Sequence, residues 1–490
     1  MTDTSGRGAD ICVVGAGAAG IAVALRAAKL GHRVVLLDAA GAIGGALRPP
    51  RVGDLTLDDG RGDMLLPAAL RDLFRKSGRP LERELELTPV TGARSMRCSP
   101  TERLDLPLLG RGAQRVAVAD CFGEVAADAW TSTIDRFGRR WDAARRIVEN
   151  DPSPRLRTVG VKVARELGFA RAFAHEVAAL RAVPGGDILV AAAGYPLRRD
   201  GHDPERAPAV LAAIPYLEQN LGRWHPTGGA GALLDVMTRR LGLREVDVRL
   251  GCRATGLTVH GGVVTGVRTD HGDVPADVVV TAVGVDAARR LLDGHGTNRS
   301  GEVRELGDLR RLSHRLARIR PATQRRSTFL RLRRELIPEA YETLLPGQPW
   351  IVVRDVPADV WADPDDNSGW VCLDVDTTPG DESDVVAVAA TRGLDLTPGV
   401  LERHDLAPVP WGNGAALTGW RILGRLSAVT PLPAGHGLLV AGRASYLPAG
   451  LPTELLSGAL AVAAIGTAAA AGARAGEGGT GGGSDATTLA

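Results

Sequence analysis

Residues 11–45 read ICVVGAGAAGIAVALRAAKLGHRVVLLDAAGAIGG, and the fold follows from them. Ile11–Val14 is a short apolar run, right for a buried strand. Gly15, Gly17 and Gly20 form G-x-G-x-x-G, and Ala18, Ala19 and Gly20 open a run of small and apolar residues at helical spacing that ends at Gly31. Arg33–Leu37 is a second apolar strand, closed by Asp38. Strand, glycine turn, helix, strand and acid is the order of a dinucleotide site. Gly15 makes the turn, Gly17 admits a pyrophosphate to the backbone, and Gly20 permits close packing. The helix N-terminus offers free N–H groups and the positive end of its dipole to phosphates. Asp38 can accept hydrogen bonds from a pair of ribose hydroxyls.

Working outward, Gly44-Gly45 follows Asp38 after five residues, an extension foreign to a plain NAD domain. Asp54–Gly60 reads as a strand entering an Asp58-x-Gly60 turn, and Pro67 starts a helix through Phe74. Far along the chain, Trp224-His225-Pro226-Thr227-Gly228-Gly229-Ala230-Gly231-Ala232-Leu233 precedes a helix over 230–241. Strands follow at 246–250, 254–259, 263–269 and 276–283, with turns at His260-Gly261-Gly262 and Asp270-His271-Gly272. Near the end, Gly437–Gly442 is a buried strand that feeds Arg443–Pro452 and an Ala-rich helix to about Ala471.

These stretches, near positions 15, 226 and 450, resemble the phytoene desaturase-like (carotenoid desaturase) branch of the FAD-dependent amine oxidase and protoporphyrinogen oxidase superfamily. The resemblance implies an α/β fold: a Rossmann-like FAD-binding domain with a parallel sheet, and an inserted α+β substrate domain. The FAD-binding domain would comprise 1–80, 223–300 and 431–471, the substrate domain 81–222 and 301–430, and 472–490 would be a disordered Gly-rich tail. It also implies FAD, held by Gly15, Gly17, Ala18, Ala19, Gly20, Asp38, Gly44, Gly45 and Arg48. Ala254 would lie by the adenine, and Gly442, Arg443, Gly450 and Leu451 would form the loop where the last helix starts beneath the flavin ring. The family more often has Glu at the Asp38 position, and Asp does the same job with a shorter reach. It often has Arg after the glycine pair, where this chain has Ala46 with Arg48 two residues on. Tyr446 and Leu447 replace a His-Pro of carotenoid desaturases, and Ala444 replaces a glycine.

The implied reaction is hydride transfer from a substrate C–H bond to flavin N5, with loss of a neighbouring proton. The substrate would be a small molecule of apolar character, and the electron acceptor oxygen, a quinone or a transient carrier, because a second G-x-G-x-x-G in a strand–helix setting is absent. A flavin-dependent amine oxidase and a redox-neutral isomerase are the alternatives. A non-catalytic lipid- or partner-binding protein, like the guanine-nucleotide dissociation inhibitors of similar fold, is a third. No side chain stands out as a general base; Tyr446 and His225 are the candidates nearest the motifs. Tyr195, Tyr216 and Trp224 read as core aromatics, and His175 as an ordinary histidine.

The chain has 490 residues, enough for two domains, and a net charge of +2, which speaks against general nucleic-acid binding. Its five cysteines lack C-x-x-C or metal spacing and read as small buried hydrophobes in a reducing cytoplasm, so no metal is expected. Neither a signal peptide nor a membrane-spanning run is evident. Eleven Arg face only Glu305 and Asp308 between Arg304 and Arg334. Val303, Leu306, Leu309, Leu312, Leu316 and Ile319 fall at helical spacing, with Arg311, Arg315 and Arg318 off the stripe and Pro321 closing the helix. That pattern suits a solvated face or peripheral contact with an anionic membrane. Trp350–Val388 reads as strands of a second sheet flooring a substrate cavity.

Overall fold

The computed structural model describes residues 9–150, 168, 171–260, 263–293, 313–314, 323–356, 367–377, 380–411, 437–442 and 450–477. Expectations on Arg443, Ala444, Tyr446, Leu447, the 261–262 turn, Arg311, Arg315, Arg318 and the tail beyond 477 lie outside the described residues.

Two sheets carry the architecture. The first has seven strands in the order 254–260, 263–269, 272–281, 9–14, 34–37 and 247–249, with 438–440 also paired to 272–281. Its centre is parallel: Ala9–Val14 lies between Gly272–Thr281 and Val34–Leu37, and Leu438–Val440 adds on the far side of Gly272–Thr281. Three separate pieces of chain therefore build one sheet. Ile11, Cys12, Val13, Leu36 and Leu37 are buried, as continuous apolar strands of a covered parallel sheet must be. The helices Ala18–Lys29 and Leu451–Glu477 pack together with it, and contact is close at Gly458, where a Cβ would stand 2.8 Å from the Ala19 carbonyl oxygen. The closing helix runs to Glu477, past the Ala471 read from sequence.

The second sheet has eight strands, ordered 400–405, 323–333, 368–377, 350–356, 342–345, 93–97 and 103–107, with 409–411 paired to 323–333. All its pairings are antiparallel except 342–345 with 93–97. Two sequence readings need correcting. The run Val385–Thr391 is a helix rather than strand, because the Asp384 carboxylate caps it by accepting the Val386 N–H at 3.1 Å. The later part of the Arg304–Arg334 segment, Thr323–Arg333, is a strand of this sheet, paired on one side with 368–377 and on the other with 400–405. Its arginines are engaged: Arg325 pairs with Asp376, Arg331 with Glu402, and Arg326 donates to the Asp381 carbonyl.

Against the second sheet pack the helices Arg111–Phe122, Glu124–Asn150, Gly186–Arg199 and Ala213–Leu221, around Trp130, Phe137, Phe173 and Tyr195. Tyr195 is a core aromatic as expected, and His175 is exposed. All five cysteines are free thiols; Cys12, Cys252 and Cys372 are buried, Cys98 is half-buried and Cys121 is exposed. Burial pushes the Cys12 thiol up to about 12, so it behaves as a small hydrophobe. Among the described residues, no helix is long and apolar enough to cross a membrane.

Candidate functional site

The glycine fingerprint closes into a cradle at the carboxyl ends of the parallel strands, where ligands of open α/β sheets sit. Gly15 has φ +106°, and its N–H donates to the Leu37 carbonyl at 2.7 Å. A Cβ on Gly20 would stand 1.8 Å from the Gly15 carbonyl oxygen, so this glycine serves the turn as much as the helix–strand packing. Gly17 is different. Its backbone is ordinary (φ −76°, ψ −179°), and a Cβ built on it meets nothing within 4 Å. A glycine that the backbone does not require and that faces open space leaves room for something else. That space adjoins the N-terminus of Ala18–Lys29, which has neither a side-chain cap nor an acidic residue in its first turn. Free N–H groups with no carboxylate to satisfy them suit a pyrophosphate.

The second glycine pair completes the cradle. Gly44 (φ +113°) donates its N–H to the Ala16 carbonyl at 2.8 Å, and a Cβ on Gly45 would be 3.1 Å from Gly17 Cα. Asp38 has a second job that sequence did not show. Its carboxylate oxygens accept the N–H groups of Ala16 at 2.7 Å and Ala40 at 2.8 Å. Each oxygen keeps a lone pair for a ribose hydroxyl. The backbone carbonyl of Asp38 accepts from Cys252 at 2.9 Å, which brings the start of Ala254–His260 beside it and places Ala254 near this end of the groove. Gly442 (φ +79°) approaches the fingerprint helix: a Cβ there would be 3.3 Å from Ala19 Cβ, and the Gly442 N–H donates to Ser457 Oγ at 2.9 Å. Gly450 (φ +122°) and Leu451 start the closing helix, with a Cβ on Gly450 3.9 Å from the Asp200 carboxyl. The Arg48 side chain is exposed. Arg61 ties this strap, donating to the Arg48 carbonyl at 2.6 Å while paired with Asp59.

The helix Gly229–Leu243 joins the cradle to a second feature. Its Leu234 lies over Gly44, and its first turn sits so close to Asp58 that only glycine fits at 229. Beyond Asp58 opens a cavity of about 1140 Å³, lined at this end by Asp58, Gly60, Asp63, His225 and Tyr341 and elsewhere by Arg97, Arg334, Arg354 and Asp355. Met64 and Trp224 exchange backbone hydrogen bonds of 3.0 and 2.9 Å, which sets His225 against Asp63. His225 Nδ1 lies 2.7 Å from Asp63 Oδ1, and Nε2 lies 3.4 Å from Asp58 Oδ2. The Asp63 side chain is 1% exposed and also accepts the Tyr341 hydroxyl and the Arg199 guanidinium. Burial alone would raise the Asp63 pKa; His225, Arg199 and Tyr341 outweigh it and hold it low. Asp58 is pushed up by burial against the pull of His225. The hydrogen bond to Asp63 raises the pKa of His225, against partial burial.

Behind this wall sits a buried ion network. Glu342, 0% exposed, binds Arg94, Arg199 and Arg354, and accepts the Tyr195 hydroxyl at 2.9 Å. Burial works against its charge, but the guanidinium groups of Arg199, Arg94 and Arg354 hold its carboxyl far below the usual range. Glu218, between Arg94 and Arg223, falls to about 2 although burial opposes it, because those two cations win. Sequence reading missed Asp63, Arg199, Tyr341 and Glu342. The available signal was the acidic cluster Asp58-Asp59-Gly60-x-x-Asp63 directly after the fingerprint, beside the lone His225 of the second motif.

Residues 13–76 match the family model of NAD(P)-binding Rossmann-like domains, and residues 185–307 match that of flavin containing amine oxidoreductases. A phytoene dehydrogenase of Streptomyces griseus is 28% identical over 58% of this chain and 55% of its own. A zeta-carotene-forming phytoene desaturase of Myxococcus xanthus is 28% identical over 60% of this chain and 57% of its own. The chain is thus similar to carotenoid desaturases and to flavin containing amine oxidoreductases. The cradle fits FAD by its open face at Gly17 and its uncapped helix end. The chain spans about half the length of the curated relatives it matches. Among solved structures, wild-type putrescine oxidase bound to putrescine superposes with TM-score 0.61 at 16% identity, covering 95% of this chain and 99% of that one. A Rab GDI of Plasmodium falciparum superposes with TM-score 0.53 at 11% identity, covering 94% and 98%. At those identities both show the fold alone.

Proposed function

We propose that this protein is an FAD-dependent oxidoreductase of desaturase type, taking hydride from a C–H bond of a small-molecule substrate. The observation that carries the reading is the open space at Gly17 beside an uncapped helix N-terminus, inside a chain of a flavin-containing superfamily. FAD, when bound, supplies the two-electron acceptor. The chain's residues do the rest. Gly15, Gly17, Gly44 and Gly45 admit the pyrophosphate, and Ala18 and Ala19 present N–H groups to it. Asp38 would take ribose hydroxyls, Ala254 would serve the adenine, and Gly442, Gly450 and Leu451 would hold the flavin ring, with Arg443 expected beside them from the resemblance.

The division into an FAD-binding domain of 1–80, 223–300 and 431–471 and a substrate domain of 81–222 and 301–430 belongs to the same proposal. Its support is the two sheets, which draw their strands from those pieces. The relatives named for carotenoids make an apolar substrate the first class to try. A membrane contact would rest on the part of the basic segment before Thr323, because Arg325, Arg326 and Arg331 are engaged inside the second sheet.

Anaerobic mixing tests the reading. The purified yellow protein, mixed with phytoene in liposomes and separately with primary amines, should lose its flavin absorbance with one of them. Bleaching by amines alone would make it an amine oxidase. Bound flavin that no C–H donor reduces would leave a redox-neutral isomerase or a binding protein.

A further inference from the structure

We propose that His225, oriented by Asp63, takes up the proton that a substrate loses as its C–H hydrogen leaves as hydride. The proposal rests on the FAD-dependent reading above. Asp63 is an acceptor held in place on three sides, by His225, Tyr341 and Arg199. A carboxylate can only accept, so the 2.7 Å contact places a proton on His225 Nδ1. In the neutral ring Nε2 then carries the lone pair, on the side of Asp58 and the cavity. Asp63 is thus a positioning residue that selects the tautomer, and Asp58 is a second acceptor within relay distance. The charged and titratable groups facing the ring are Asp58 and Asp63 from the turn, Arg199 from Gly186–Arg199, and Tyr341 through Asp63. The strand Leu87–Pro89 pairs across from it and contributes only the uncharged Thr88.

The balance closes without another reactant. The C–H bonding pair leaves with its hydrogen as hydride to FAD. The bonding pair of the adjoining X–H becomes the new C=X bond, where X is carbon, nitrogen or oxygen. The proton of X–H goes to His225 Nε2. The ring is 27% exposed, enough to pass that proton on through the cavity.

Potentiometry of the holoprotein tests this without a substrate. The flavin is reduced anaerobically with xanthine, xanthine oxidase and a viologen mediator from pH 5.5 to 9. A residue that gains a proton when charge arrives at the flavin adds one proton per two electrons. That is a tenfold change per pH unit, or about 30 mV. The wild type should show this extra slope over the window in which His225 titrates, and His225→Gln should lack it. Asp63→Asn should move the window to lower pH, since the hydrogen bond that raises the His225 pKa is weakened. A merely structural histidine would alter melting but not slope. A yellow His225→Gln with the wild-type slope overturns the proposal alone. A wild-type protein without flavin overturns the reading beneath it as well.

Discussion

The cradle and the cavity wall are built from opposite materials. Around Gly17 the site consists of backbone and of missing side chains: Gly15, Gly17, Gly44 and Gly45, with Gly442 arriving from the far end of the chain. Around His225 it consists of side chains, most of them charged, drawn from positions 58, 63, 199, 225, 341 and 342. A site made of backbone tolerates little added volume and depends little on charge. A site made of buried ions tolerates no unpaired charge. Mutations should therefore separate the two, with cofactor loss marking one and stability loss marking the other.

The largest effect is expected at Gly17. Gly17→Val keeps an allowed backbone and fills space that no protein atom occupies. Flavin content should fall more than tenfold, while stability of the cofactor-free fold changes by no more than about 0.5 kcal/mol. Flavin release on denaturation and a urea melt measure both. A variant that keeps its flavin would break the contrast at its stronger end.

Glu342→Gln should do the reverse. It removes the charge shared by Arg94, Arg199 and Arg354, each of which keeps one other carboxylate, in Glu218, Asp63 and Asp374. The expected cost is about 3 kcal/mol, at the low end for breaking a buried pair because of those remaining partners. Flavin should be retained. The sign with pH follows from the lowered carboxyl: its contribution is complete above the unfolded-state pKa and is lost as pH falls through the folded one. The wild type should lose stability into acid faster than Glu342→Gln, as a pH series of melts would show.

This contrast also explains what sequence could say. Backbone chemistry is written locally, so the cradle was legible as glycines at fixed spacing followed by Asp38. The ion network was not, because Arg94, Arg199, Glu342 and Arg354 have no pattern in one dimension and meet only when the second sheet forms. Charged residues in a sequence are read as surface unless a partner is known. The Arg304–Arg334 reading shows the same limit: part of that basic run is a strand of the second sheet, where Arg325 and Arg331 pair with carboxylates directly opposite them on the two neighbouring strands, Asp376 and Glu402. The helix Val385–Thr391 was lost because an all-apolar run does not reveal its period, and only its Asp384 cap marks it.

A smaller effect belongs where the two regions share support. Gly458→Val should push the closing helix off Ala19, at a cost of about 1–3 kcal/mol for overpacking, and loosen FAD modestly. If flavin affinity is untouched, the closing helix does not support the cradle. The smallest effect is electrostatic and sits at the cavity. His225 has a raised pKa in the fold, so its contribution to stability is present below the unfolded value of 6.5 and fades as pH rises through the folded one. Melting curves across pH 6–9 should show this slope in wild type and its absence in His225→Gln. Equal slopes would mean that the Asp63 contact is not maintained in solution.

The central claim is that the cradle holds FAD, and the most direct measurement is the flavin released when the purified wild-type protein is denatured. The account predicts absorbance bands of oxidised flavin before denaturation, and release of FAD with a mass-verified stoichiometry near one per chain. A folded, colourless protein that takes up no FAD on incubation would contradict it.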